Sequence, residues 1–132
     1  MKLIDVAIAV VKRDRKILIC QRKIGVNLPG FWEFPGGKRE AGETLEACLS
    51  RELMEEVAIS VTVIEKLTPV EHLYDQTRVI LHPFLCDHLA GEPIPIECQR
   101  VKWIDALELS HFEFPPANDV LLKEIAIKIR TM

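Results

Sequence analysis

The stretch GKREAGETLEACLSRELMEEVAI, residues 37–59, decides the fold of this 132-residue chain and is its most informative region. Residues 44–57 are good helix formers and include neither glycine nor proline, which predicts a helix there. At helical spacing, Leu45, Cys48 and Leu49 fall on one apolar stripe. We therefore expect the helix to pack against the rest of the protein through that stripe.

The same face of the helix becomes acidic in its second half. Glu52, Glu55 and Glu56 are spaced i, i+3 and i+4, so their carboxylates share one side, which points toward the interior. Two interpretations remain open on these residues alone. The first is a solvated acidic surface, and the second is a site for a hard cation such as Mg²⁺ or Mn²⁺, which prefers oxygen ligands.

The residues just before this helix suit a ligand that carries phosphate. Gly36 and Gly37 allow the backbone to approach a ligand more closely than a side chain would permit. Lys38 adds a cation that can meet a phosphate group. Beside three inward carboxylates, this turn favours a cradle for phosphate and metal.

The rest of the chain predicts strands and one further helix. Patterning indicates strands at 3–12, 16–22, 61–72, 77–88 and 99–104, an extended piece at 32–37 and a closing helix at 118–130. Strands mixed with two helices predict an α/β or α+β sandwich. The length suits a single domain that spans residues 1–132.

Composition narrows the class of protein. The net charge of −3 argues against a nucleic-acid binder that relies on bulk positive charge. No apolar run approaches the roughly 20 residues that a membrane-spanning helix needs. The cysteines at positions 20, 48, 86 and 98 form no CxxC pair, which favours reduced packing thiols. We expect a cytoplasmic protein.

The stretch at residues 37–59 resembles the Nudix box, Gly-x5-Glu-x7-Arg-Glu-aliphatic-x-Glu-Glu-x-Gly-aliphatic. Six of its seven glycine or polar positions match, namely Gly37, Glu43, Arg51, Glu52, Glu55 and Glu56. Ala58 stands where the family has the second glycine, a position that concerns the turn after the helix. Residues 2–60 and 91–120 are similar to the MutT-type branch of the family, including EFPGGK at 33–38 and FPPAN at 114–118.

The resemblance implies both a fold and a reaction. The fold is an α/β/α sandwich with a mixed sheet, in which the box forms a loop-helix-loop. The reaction is hydrolysis of a nucleoside triphosphate, foremost 8-oxo-dGTP, to the monophosphate and pyrophosphate, with Mg²⁺ as cofactor and Mn²⁺ as a substitute. Two alternatives remain: a pyrophosphohydrolase acting on CTP or methyl-dCTP, and a non-catalytic module that senses a nucleotide. We expect a monomer whose partner is a small nucleotide, without nucleic acid or membrane.

The resemblance also implies residue roles. The metal ligands are Glu52, Glu55, Glu56 as the central one, the Gly36 carbonyl and Glu97. Glu52 is the first candidate for the general base and Glu97 the second, although Glu97 also reads as an ordinary loop glutamate. Arg51 and Glu43 form an ion pair that braces the loop. The substrate-binding residues are Arg22, Asn27, Glu33, Phe34, Pro35, Gly36, Lys38 and Asn118. Asn118 reads the purine edge, or alternatively caps the last helix.

Overall fold

The computed structural model of the chain describes residues 1–129. The strands are β1 (Lys2–Arg13), β2 (Lys16–Gln21), β3 (Trp32–Glu33), β4 (Gly36–Lys38), β5 (Ser60–Lys66), β6 (Val70–Tyr74), β7 (Thr77–Ala90) and β8 (Arg100–Asp105). The helices are α1 (Leu45–Val57) and α2 (Asp119–Ile129), with short 3-10 turns at Ala106–His111 and Pro116–Asn118.

The strands form one mixed sheet with β1 in its interior. β1 runs parallel to β7, from the pair Lys2 and Thr77 to the pair Lys12 and Asp87, and antiparallel to β2 and β4. β7 also pairs antiparallel with β5 and β6, and β2 does so with β3 and β8. The mixed sheet confirms the predicted fold class.

Alternation along β1 sends side chains into two separate cores. Ala7, Ala9 and Val11 pack on the face covered by α1. Ile8 and Val10 pack on the opposite face, in the same cluster as Leu121 and Ile125 of α2. Because successive strand residues point to opposite faces, a strand buried on both sides reads as a continuous apolar run. The two cores thus lie between the three layers of the sandwich, which are α1, the sheet and α2.

Helix α1 begins and ends almost where the sequence predicts. The Thr44 hydroxyl accepts from the Ala47 N–H at 3.1 Å, which satisfies a free donor of the first turn. The helix ends at Ala58, which adopts φ 60° and ψ 37° and donates its N–H to the Met54 carbonyl. Ala58 thus makes the left-handed turn that the family assigns to glycine, at a conformational cost of about 1 kcal/mol.

Several predicted boundaries change. The prediction of one continuous strand over 61–72 is wrong. β5 ends at Lys66 and β6 begins at Val70, with Pro69 between them. Proline has no N–H to donate to a strand ladder, and Pro69 lies within the break. The extended piece at 32–37 is two short strands, β3 and β4. The predicted closing helix is α2, and its last predicted residue, Arg130, lies outside the described residues.

Two expectations drawn from composition can be compared with residues 1–129. No helix in this part of the chain is long and apolar enough to cross a membrane. Cys20, Cys48, Cys86 and Cys98 are all buried free thiols, in keeping with a packing role.

Candidate active site

The acidic face of α1 lies over the glycines of β4. Glu56 is only 8% exposed, and one of its carboxylate oxygens lies 3.5 Å from the Gly36 nitrogen, which donates to it. The Glu52 side chain is 15% exposed and that of Glu55 is 48% exposed. The expectation that all three carboxylates point inward is therefore wrong for Glu55, which lies on the solvent side of the helix.

The two glycines are required by close contacts on either side of β4. A side chain at Gly37 would collide with the Glu52 carboxylate. A side chain at Gly36, whose φ is 155°, would collide with the Ala7 carbonyl on β1. Because both positions lack a Cβ, β4 fits between β1 and the acidic face of the helix.

The environment of Glu56 disfavours its charged form. Burial is the main cause that raises the pKa of its carboxyl to about 8, and the nearby Glu33 and Glu52 carboxylates add to the effect. The hydrogen bond from the Gly36 N–H opposes it. A buried carboxylate that lacks a counter-charge is the environment in which a bound cation stabilises the ionised form.

We expect this group to make the metal-free protein less stable as pH rises. The pKa of Glu56 in the folded protein, about 8, lies above the ordinary value of 4.5. The stability that this carboxyl contributes to the folded protein is therefore complete below pH 4.5 and is lost as pH rises through 8. Unfolding by urea in EDTA between pH 5 and pH 8 measures this. Glu56→Gln should remove up to about 1.4 kcal/mol per pH unit of the slope. Equal slopes in the two proteins would show that Glu56 does not carry the effect.

Arg51 organises the carboxylates around it. Its Nε and one Nη donate to the two carboxylate oxygens of Glu43 at 3.1 and 2.7 Å, which places the ion pair that the resemblance assigned. Its other Nη donates to Glu52 at 2.9 Å and to Glu55 at 3.1 Å. The bidentate contact with Arg51 lowers the pKa of Glu43 to about 2.

The donor set fits a hard divalent cation, although the oxygens do not converge on one point. Within residues 1–129, no three His, Cys, Asp or Glu side chains are grouped so as to hold an ion. The Glu52 and Glu55 carboxylates instead accept hydrogen bonds from the Arg51 guanidinium. The buried carboxylate of Glu56 and the Glu52 carboxylate beside Gly37 still offer the oxygen ligands that Mg²⁺ prefers.

A cavity of about 300 Å³ opens beside β4. Six of its lining residues are among the predicted substrate-binding residues, namely Arg22, Glu33, Phe34, Gly36, Lys38 and Asn118. Sequence reasoning missed three apolar lining residues, Val6, Ile8 and Leu81. Val6 and Ile8 share a face of β1 by alternation, which was a usable signal, whereas Leu81 joins them only through the parallel pairing of β7 with β1.

Asn27 and Pro35, also predicted to bind substrate, do not line this cavity. Asn27 is exposed, and its carbonyl accepts from the Arg22 Nε at 2.7 Å. Pro35 is buried, and its carbonyl accepts from the Ala9 N–H at 2.9 Å. Both residues therefore support their neighbours through the backbone.

Glu97 lies at a second, smaller opening next to the first. This cavity of about 180 Å³ is lined by Arg22, Lys23, Val26, Glu33 and Glu97. Arg22 and Glu33, paired at 2.7 Å, line both openings and separate them. The Glu97 N–H donates to the Glu56 carbonyl at 3.2 Å, which ties its loop to the end of α1.

Asn118 is buried on the wall of the larger cavity, immediately before α2. Its side-chain nitrogen donates to the Pro115 carbonyl at 3.4 Å. A helix cap would instead accept from a helix N–H through the side-chain oxygen, so this contact is not a capping bond. Phe114 stacks on Phe34, another wall residue, with ring centroids 5.1 Å apart.

Comparison with known proteins defines the class of this fold and site. The family model described as "NUDIX domain" matches residues 6–124, and the chain belongs to the Nudix family of hydrolases. Among curated relatives, an Escherichia coli "8-oxo-dGTP diphosphatase" is 31% identical, over 95% of this chain and 98% of the relative. An Escherichia coli "CTP pyrophosphohydrolase" is 34% identical, over 93% and 91%.

Solved structures of similar sequence share this fold. The solution structure of the Escherichia coli ORF135 protein superposes with a TM-score of 0.85 at 34% identity, covering 98% of this chain and 92% of that one. A MutT structure from a study of Aliivibrio salmonicida and Vibrio cholerae gives 0.79 at 32% identity, covering 96% and 99%.

Proposed function

We propose that this chain hydrolyses a nucleoside triphosphate to the monophosphate and pyrophosphate, with 8-oxo-dGTP as the preferred substrate. The observation that carries the proposal is one juxtaposition. Gly36 lines the cavity that also contains Lys38 and the buried Asn118. The Gly36 N–H donates to the buried carboxylate of Glu56. A phosphate-binding cation, a base-reading amide and an acidic metal site thus adjoin one another. Relatives named 8-oxo-dGTP diphosphatase support the choice of substrate.

The residues divide the work of hydrolysis between them. Glu52, Glu55, Glu56, the Gly36 carbonyl and Glu97 would hold the divalent metal. When bound, Mg²⁺ neutralises phosphate charge and lowers the pKa of the attacking water. Glu52, against Gly37 and beside Arg51, is our first choice to take the proton of that water, and Glu97 is the second. Arg51 and Glu43 keep the loop in place for both.

The walls of the cavity position the nucleotide. Phe34, stacked on Phe114, offers an aromatic surface for the base, and Asn118 offers an amide that both donates and accepts. Lys38 and Arg22 supply the positive charge that meets phosphate. Asn27 and Pro35 would act indirectly. Asn27 would hold Arg22 in place, and Pro35 would hold β4 in place. The net charge of −3 supports a free nucleotide rather than nucleic acid as the partner, and we propose a monomer that acts in the cytoplasm on the nucleotide pool.

A cytosine nucleotide is the second candidate substrate. The observation that favours it is the 34% identity to the relative named CTP pyrophosphohydrolase, which is slightly higher than the identity to the 8-oxo-dGTP diphosphatase of the same species. Kinetics across a triphosphate panel with Mg²⁺ separates the candidates. Preference for 8-oxo-dGTP supports the proposal, preference for CTP or methyl-dCTP replaces it, and no turnover indicates a nucleotide sensor.

We expect turnover to require Mg²⁺ or Mn²⁺, because the acidic site offers only hard oxygen ligands. Excess EDTA should abolish pyrophosphate release, and added Mg²⁺ or Mn²⁺ should restore it. The circular dichroism spectrum, recorded in EDTA, serves as the control that the fold survives. Full turnover in excess EDTA would contradict the assignment of the acidic face as a metal site.

A further inference from the structure

Besides the contacts of Arg51, a second set of polar contacts holds the loop between β4 and α1. We call Asp5, Arg39 and His82 the outer clamp. The Asp5 carboxylate lies 3.4 Å from an Nη of Arg39 and 2.9 Å from Nε2 of His82. The Asp5 backbone carbonyl also accepts from the Arg39 N–H at 2.9 Å. Asp5 therefore holds Arg39 by both its backbone and its side chain.

His82 orients Asp5 from the neighbouring strand β7. Its Nδ1 is buried and, among residues 1–129, has no hydrogen-bond partner, so the contact with Asp5 is made by Nε2. An Nε2–H that donates to the carboxylate leaves a bare Nδ1, which costs less when buried than an unpaired N–H. The hydrogen bond from His82 is the main cause that lowers the pKa of Asp5, so its carboxylate stays charged beside Arg39.

Polar contacts connect this part of the loop to β1. An opening of about 260 Å³ lies beside it and is lined by Asp5, Arg39, Glu43, Thr44, Leu45 and His82. Leu45 is the only apolar member of that lining. The two contacts of Arg39 with Asp5 therefore help to fix the position of the loop.

The outer clamp is connected to the proposed metal site by two routes. The first is β4, because the contact from the Arg39 N–H to Asp5 continues the ladder in which Lys38 pairs with Val6 and Gly36 with Ile8. The second is Glu43. Arg39 donates to its carbonyl at 3.2 Å, and its carboxylate holds Arg51, which in turn bonds Glu52.

We propose that Asp5, Arg39 and His82 are positioning residues that hold β4 and Glu43 in the place where Gly36 and Glu52 bind the catalytic metal. This inference rests on the proposed function and extends it to residues outside the cavity and the acidic face. None of the three is expected to touch the nucleotide. Their loss should therefore weaken metal binding and the chemical step, and leave nucleotide recognition in place.

The test compares Arg39→Ala with a matched surface variant. Arg78 pairs with Glu71 at 2.7 Å and is 44% exposed, close to the 38% of Arg39, but it lies on the β6–β7 hairpin. For Arg39→Ala we expect the Kd for Mn²⁺, measured by electron paramagnetic resonance without nucleotide, to rise roughly tenfold. The Mg²⁺ needed for half-maximal rate should rise in parallel. KM for the nucleotide at saturating Mg²⁺ should stay near that of the unaltered protein. Arg78→Ala should change none of these.

A second variant checks that the clamp acts as a unit. Asp5→Asn keeps a similar shape and the backbone carbonyl but removes the charge that holds Arg39. It should reproduce the effect of Arg39→Ala on Mn²⁺ binding, and the double variant should be little worse than either one, because both remove the same interaction. His82→Gln, which can still donate to Asp5, should largely retain Mn²⁺ affinity, whereas His82→Ala should weaken it.

The outcomes separate this inference from the proposed function. If Arg39→Ala and Asp5→Asn lower the melting temperature but leave Mn²⁺ affinity and kcat unchanged, the clamp is only structural and the inference is overturned. A larger rise in nucleotide KM than in the Kd for Mn²⁺ would also overturn it. If the unaltered protein binds Mn²⁺ and turns over no triphosphate, the proposed function fails, and the Mn²⁺ comparison still tests the clamp.

Discussion

Replacing Glu56 by glutamine should lower kcat on the preferred triphosphate about a thousandfold at saturating Mg²⁺. The substitution preserves size and removes one charge. Glu56 is the most buried of the acidic residues on α1, and one of its oxygens lies 3.5 Å from the Gly36 nitrogen at the edge of the cavity. A neutral amide there can neither balance the metal charge nor match a carboxylate as a ligand. The fold should survive, since glutamine can still accept from Gly36.

The control for this prediction is Glu46→Gln on the same helix. Glu46 is exposed in the first turn, so its replacement removes the same charge from α1 at a distance from β4. Its kcat should match that of the unaltered protein. Initial rates over a wide range of Mg²⁺ concentration measure both variants. A Glu56→Gln enzyme that keeps a near-native rate at saturating Mg²⁺ would remove Glu56 from the metal site.

Replacing Asn118 by alanine should erode the preference for 8-oxo-dGTP over dGTP while leaving the Mg²⁺ requirement intact. Oxidation of guanine at C8 places a hydrogen on N7. An amide that faces O6 and N7–H can then donate to the first and accept from the second. Normal guanine presents a bare N7 to the amide oxygen, which costs about 1–3 kcal/mol for an unpaired buried group. Loss of the amide should therefore reduce the kcat/KM ratio about tenfold or more.

Two measurements on this variant distinguish recognition from a structural role. The ratio of kcat/KM for 8-oxo-dGTP and dGTP reports on recognition, and the melting temperature reports on stability. Asp119→Ala, an exposed neighbour at the start of α2, is the matched control and should leave the ratio unchanged. A lowered melting temperature with an unchanged ratio would refute the recognition role of Asn118 and favour a cytosine nucleotide as the substrate.

The amino-acid sequence determined the elements whose information is local. The helix at 44–57, with its carboxylates at Glu52 and Glu56 on one face, follows from local sequence, because residues three and four apart are neighbours on a helix whatever surrounds them. The break between Lys66 and Val70 was not among them, since the sequence pattern predicted one strand over 61–72. Six residues that line the cavity were predicted because they lie in the stretches 2–60 and 91–120, which are similar to the MutT-type branch of the family.

Tertiary structure decided every contact between segments distant in the chain. Leu81 reaches the cavity, and His82 reaches Asp5, only because β7 runs parallel to β1 in one register; a shift of one residue would exchange the faces to which they point. The exposure of Glu55 was likewise decided by how α1 packs on the sheet. Periodicity shows which residues share a face, but the packing of that face determines which of them are buried.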